Sequence, residues 1–219
     1  MAQVFHPAAN IIARLSIVVG LGGLVGTLVL FDALQKSKYV TEIDMPREQV
    51  VPFSHKHHMA MGLDCRYCHT SVEDAAFAGI PPTKTCMNCH SIVWNEAPIL
   101  EPVRESFRTG KSMEWNRVHD LPEFVYFDHS AHLNAGVGCT ECHGRVDEMP
   151  LVWKQNSLYM TWCLDCHRQP EKFVRPRDQV FNMAYEKPAN QLEVGAELLK
   201  VHNVNTSNNR MLDCYKCHR

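Results

Sequence analysis

Ten cysteines and five of the histidines share one spacing that could do chemistry. Every cysteine belongs to a Cys-x-x-Cys pair, and each pair is followed at once by histidine. The five are Cys65-Cys68-His69, Cys86-Cys89-His90, Cys139-Cys142-His143, Cys163-Cys166-His167 and Cys214-Cys217-His218. This is the attachment signature of c-type haem. The two thiols bond the vinyl groups, and the histidine binds iron from one side. Five covalently bound haem c groups are therefore expected.

Three plainer readings fit less well. Disulfides explain an even number of cysteines but not a histidine at the same offset in every pair. Zinc ribbons pair their knuckles, so five pairs leave one over and the histidine has no role. A thioredoxin-like redox site needs one pair. At ordinary composition a histidine follows a given residue about once in forty or fifty. Five such coincidences are far beyond accident.

A low-spin electron-transfer iron takes a second axial ligand from the protein. An internal repeat points to its source. "PFSHKHHMAMGLDCRYCH" (52–69) and "YFDHSAHLNAGVGCTECH" (126–143) align without gaps and share seven of eighteen positions. The shared residues include His55 and His58 in the first copy and His129 and His132 in the second. Histidines three apart lie near one face of a turn or short helix, so the two can reach different irons. All four are expected as distal ligands. His57 has Ala131 as its counterpart, so the repeat does not require it. For the remaining iron, His119 is the main candidate. His202 and Met183 are weaker ones, since His/Met ligation also occurs and raises the potential.

These side chains need elements to position them. Two modules are expected, at about 53–90 and 127–167, each with two upstream histidines and two haem motifs. The fifth motif closes the sequence at 214–218. "APILEPVRESFRTG" reads as helical, with Pro102 near its start and Gly110 at its stop, and a second amphipathic helix runs from about Asn190 to Val201. "EFVYF" (Glu123 to Phe127) is the single strand signal, and it is short. With one motif per roughly forty-four residues, protein alone cannot form an ordinary core. The expected fold is mainly α with much irregular structure, a multihaem cytochrome c domain (52–219) built around stacked haems.

Residues 11–31 read as a transmembrane helix. "IIARLSIVVGLGGLVGTLVL" carries one charge, Arg14, and twenty apolar residues suffice to cross a bilayer. The run is long for a signal peptide, and no A-x-A site follows. The expectation is an uncleaved single-pass anchor in the cytoplasmic membrane, with residues 1–10 on its cytoplasmic side, a linker over 32–51, and the haem domain on the outer, periplasmic side. That orientation rests on where haem c is attached, because Lys36 and Lys38 offset Arg14. Gly22 and Gly26 form a GxxxG that lets another helix approach. Net charge is -2 with no long basic block, which argues against nucleic acid as a partner.

The two F-x-H-x-x-H-x3-G-x2-C-x-x-C-H boxes resemble the class III (cytochrome c3 and c7) multihaem family. The anchor, the five motifs and "RVHDLPEFVYFDHSAH" together resemble the pentahaem membrane-anchored cytochrome c subunits of alternative complex III. That resemblance implies an electron-transfer subunit of a quinol-oxidising respiratory or photosynthetic membrane complex. It implies an iron–sulfur, molybdopterin-like subunit and polytopic membrane subunits as partners, with a soluble cytochrome c, copper protein or oxidase as acceptor. It also favours His119 as an iron ligand. The subunit would then do no bond chemistry itself. Two alternatives are a self-sufficient NapC/NrfH-like quinol dehydrogenase and a multihaem reductase. Against the first stand the five motifs and the absence of a methionine soon after His69. Against the second stands the histidine that ends every motif.

Overall fold

The computed structural model describes residues 4–218 and divides the chain into two units, 1–42 and 43–219. Residues 1–3, the start of the expected inner segment, and Arg219 lie outside the described residues.

The first unit is dominated by one helix, Ala9–Lys36, with no buried residue. Its 28 residues span about 42 Å at 1.5 Å each, more than the roughly 30 Å of a bilayer's hydrocarbon core. Its hydroxyls turn back onto the helix: Ser16 Oγ donates to Ala13 O at 2.9 Å and Thr27 Oγ1 to Gly23 O at 2.8 Å. Polar groups are thus satisfied within the segment, as hydrocarbon requires. By length and composition this helix can cross a membrane. A Cβ on Gly20, Gly22, Gly23 or Gly26 would meet nothing within 4 Å, so no packing within the chain calls for these glycines.

The second unit is short helices joined by turns. Local sequence sets most of the boundaries. Ser54 and Asp128 cap the His55–Ala60 and His129–Asn134 helices, accepting from His57 N and Ala131 N. Asp64 does the same for Cys65–Cys68 through Arg66 N. Such caps satisfy amide donors that have no partner inside the helix. Pro102 sits in the first turn of Glu101–Thr109, and Gly110 at φ +71° ends it, a conformation suited to glycine. Gln191–Val201 follows Asn190 as expected. The remaining longer helices are Thr83–His90 and Met160–Arg168.

No strand forms among the described residues, only three isolated bridges. "EFVYF" contributes one of them, Val125 to His218. Its bridge partner among the described residues is the turn of the last motif, which is too short to extend a ladder. Residues 43–51 are not a free linker either. Asp44 N donates to Lys154 O at 2.9 Å, and the Gln49 side chain pairs with the Asn116 backbone through two 2.9 Å bonds.

Apolar burial is sparse. Val51, Leu100 and Val103 form one cluster with Cys86, Met87, Met113 and Trp115 against it. Val72, Leu133 and Val180 form another, beside Cys139 and Phe181. Only nine hydrophobic residues are fully buried among those described, which is too few to hold a unit of this size without a further apolar component. Cys86 and Cys139 lie at the margins of these clusters.

Candidate haem sites

The repeat survives in three dimensions. Phe53 stands edge-on to His55 (4.8 Å between ring centres, 85°) and stacks on His58 (4.3 Å, 24°). Phe127 treats His129 (4.8 Å, 87°) and His132 (4.5 Å, 23°) alike. The shared phenylalanine therefore sets the attitude of both histidines in each box.

The modules also interlock. Lys56 N donates to Met149 O at 3.3 Å, and Ser130 N donates to Ala75 O at 3.3 Å. Positions 56 and 130 correspond in the repeat, as do 75 and 149. Each His-x-x-His helix thus docks on the loop after the other module's first motif. His129 adds two bonds to Ala76 O, from its backbone N (3.1 Å) and its Nδ1 (2.8 Å).

Four histidine pairs follow one rule. His55 faces His69 with ring centres 6.5 Å apart, and His58 faces His90 at 6.2 Å. His129 faces His143 at 6.3 Å, and His132 faces His167 at 6.2 Å. Imidazole binds a metal at about 2.0–2.1 Å. With the ring centre roughly 1.1 Å beyond the nitrogen, two rings trans across one ion lie about 6.3 Å apart. The four separations fit that geometry. In each box the first histidine faces its own module's first motif, and the second faces the second motif.

Hydrogen bonds select the nitrogen. The Nδ1 of His69 bonds Gly79 O (2.7 Å), that of His90 bonds Val93 O (3.0 Å), and that of His167 bonds Met211 O (2.8 Å). The Nδ1 of His58 bonds Ser54 O (2.8 Å) and that of His132 bonds Asp128 O (2.6 Å). A carbonyl oxygen can only accept, so Nδ1 carries the proton and Nε2 keeps its lone pair for a metal. Burial acts in the same direction, by disfavouring the imidazolium. It holds His55 at about 4, with His69 and His58 adding to the effect. His143 falls to about 3, from burial first and then from His119 and His129.

The thiols point away from redox or zinc chemistry. All ten are free. Burial pushes Cys142 up to about 12 and Cys139 and Cys166 to about 11. A disulfide-exchange site needs the opposite shift, towards thiolate. Among the described residues no cluster of three or more His, Cys, Asp or Glu could hold a metal ion. The donor set is pairs of imidazoles with a thiol pair beside one member, which fits c-type haem.

The fifth motif differs. His218 Nδ1 donates to Phe124 O at 3.1 Å, and its ring neighbour is Phe124 at 5.9 Å. His119 stands edge-on to His143 at 4.3 Å, too close for the two to share an ion. Its Nε2 is buried with no partner, and burial, with Lys154 adding to it, lowers its pKa to about 4. His202 is 8% exposed, with Nδ1 bonded to Ala135 O at 2.9 Å. The eight paired histidines, His119 and His218 are all half-buried. His202 is closed in by protein. Met183 is half-buried and His57 is exposed.

Arg175 is 2% exposed, and its Nη2 donates to Glu141 Oε1 at 2.8 Å and to Thr140 Oγ1 at 2.9 Å. Thr140 and Glu141 are the two residues between Cys139 and Cys142. An arginine thirty-odd residues away carries no local signal of this role.

Residues 125–219 match the family model of cytochrome c7 and related cytochrome c. This part, less than half of the chain, is similar to cytochrome c7-like multihaem domains, a likeness that implies covalently bound c-type haem. The chain is also similar to the multihaem cytochrome c subunit of menaquinone reductase from Nitratidesulfovibrio vulgaris (strain Hildenborough). The two are 39% identical over 99 residues, 44% of this chain and 46% of that relative. The matched stretch is thus less than half the relative's length.

Proposed function

We propose that this chain is the membrane-anchored electron-relay subunit of a quinone-linked membrane complex of the alternative complex III type, carrying five haem c groups. The four histidine pairs at 6.2 to 6.5 Å carry this reading. Haem c bound at such pairs supplies reversible one-electron iron chemistry.

The chain's own residues do the rest. Each cysteine pair tethers one group covalently. His69, His90, His143, His167 and His218 are the proximal ligands. His55, His58, His129 and His132 are the distal ligands of the first four sites, and His119, with its unpartnered Nε2, serves the fifth. Two imidazoles on one iron leave no position for a substrate, so these four sites favour relay over reduction of a small molecule. The carbonyl bonds to Nδ1 of His58, His69, His90, His129, His132 and His167 hold those rings still, which keeps reorganisation on electron transfer small. The apolar helix anchors the domain at the membrane, on its outer face. There an iron–sulfur subunit and polytopic quinone-binding subunits would be neighbours, with a cytochrome c or copper protein as acceptor.

The relative's name supports a second direction of flow, towards menaquinone. Both readings use the same relay. Native isolation of the haem-staining band from mild detergent, with mass spectrometry of its contents, tests the assignment. Co-migration with a large iron–sulfur subunit and polytopic subunits is expected. A band holding this chain alone would overturn it in favour of a self-sufficient quinol dehydrogenase. Quinol-driven reduction of the haems, set against haem-driven reduction of menaquinone, separates the two directions.

A further inference from the structure

Arg175 is among the most deeply buried side chains described. Its charge is tied to one motif. Nη2 bonds Glu141 Oε1 and Thr140 Oγ1, and Nη1 donates to Asn182 O at 3.2 Å. Nε is buried and has no acceptor. The guanidinium lies 4.5 Å over the ring of Tyr185. Its backbone N bonds Gly136 O at 2.8 Å.

The surroundings are shaped around this side chain. A Cβ on Gly138 would come within 2.3 Å of Arg175 Cζ, and one on Gly136 within 2.4 Å of Arg175 O. Both glycines lie just before Cys139, so the approach to the third motif accommodates the guanidinium. Glu141 is 14% exposed and also accepts from Lys187 Nζ at 2.9 Å. Two cations therefore meet one carboxylate, which leaves the cluster with one net positive charge. Among the described residues no other motif shows such a clamp. Arg66 and Asp165 make ion pairs, but with side chains about half exposed or more.

We infer that Arg175 is a positioning and potential-setting residue of the third haem site. It fixes the Thr140-Glu141 segment between the two attachment cysteines, and its excess positive charge favours the reduced state of that site over the others. Low local dielectric strengthens the effect, because water cannot screen a buried guanidinium as it screens a surface one. This rests on the reading above that the third motif holds a haem.

The test uses the full chain in its membrane complex. Haem content is measured first, by mass and by pyridine haemochrome. Loss of haem specifically from Cys139 and Cys142 in the unmodified protein would fail the haem reading itself. With haem in place, Arg175→Met should lower the midpoint potential of one haem by about 59 mV, a tenfold change for one electron. The remaining haems should stay put. Glu141→Gln, a milder change, should move the same haem upward. The opposite signs guard against a variant that merely folds poorly, because loosened packing would not reverse with the sign of the charge removed. Arg175→Lys should keep most of the potential while loosening the segment. Unchanged potentials in both charge variants, or equal shifts in every haem, would overturn the inference.

Discussion

His132 offers the sharpest test of the paired-histidine geometry. Its ring faces His167 at 6.2 Å and stacks on Phe127 at 4.5 Å, and its Nδ1 donates to Asp128 O at 2.6 Å. Replacing it by alanine removes one axial ligand from one iron of five. About one fifth of the haem should then turn from low-spin to high-spin, with the other four sites unaffected. Stability should fall as well. The lost hydrogen bond and the carbonyl left without its donor cost about 1–3 kcal/mol, and the lost ring burial adds to that. Electron paramagnetic resonance and near-infrared magnetic circular dichroism read the spin state directly, and the pyridine haemochrome checks that all haems remain attached. His57→Ala is the control. That residue is exposed and has no counterpart in the second box, so its spectrum should match the parent. If His132→Ala leaves the low-spin signals unchanged, the axial reading of the 6.2 to 6.5 Å pairs is wrong. The same holds if the altered haem is not the one attached at Cys163 and Cys166.

Three further outcomes follow from the structure. His119→Ala should convert the fifth site to high-spin, whereas His202→Ala should lower thermal stability with no spectral change; the reverse pattern would exchange their roles. Gly195→Ala should destabilise the domain in a melting experiment. A Cβ there would lie 1.9 Å from Glu171 O, and backbone overpacking at about 1–3 kcal/mol outweighs the gain of about 1 kcal/mol from helix propensity. Gly22→Leu should leave the haem spectrum and membrane association intact but reduce co-purification of polytopic subunits; full retention would mean that the glycine face packs against nothing.

Much of the site was legible in the sequence because its chemistry is local. A thiol pair and the next histidine lie within one turn, and covalent attachment depends on that spacing alone. The His-x-x-His boxes were legible for the same reason, helped by their duplication. Helix ends at Ser54, Asp128 and Gly110 follow from single residues whose effect reaches only a few positions. "EFVYF" misled because β propensity counts for little without a partner strand, and here the partner is a single turn at Val125 and His218.

By itself, then, the sequence determined the five Cys-x-x-Cys-His motifs, the duplicated His-x-x-His boxes, the long apolar helix and the scarcity of ordinary core. Only the tertiary structure decided which histidine faces which. His132 and His167 are thirty-five positions apart, and no periodicity relates two side chains whose meeting depends on the whole path between them. The same holds for the reciprocal docking of Lys56 on Met149 and Ser130 on Ala75, and for Arg175 beneath the third motif. Short-range spacing sets what a residue can bind. The fold of the intervening chain sets what comes within reach.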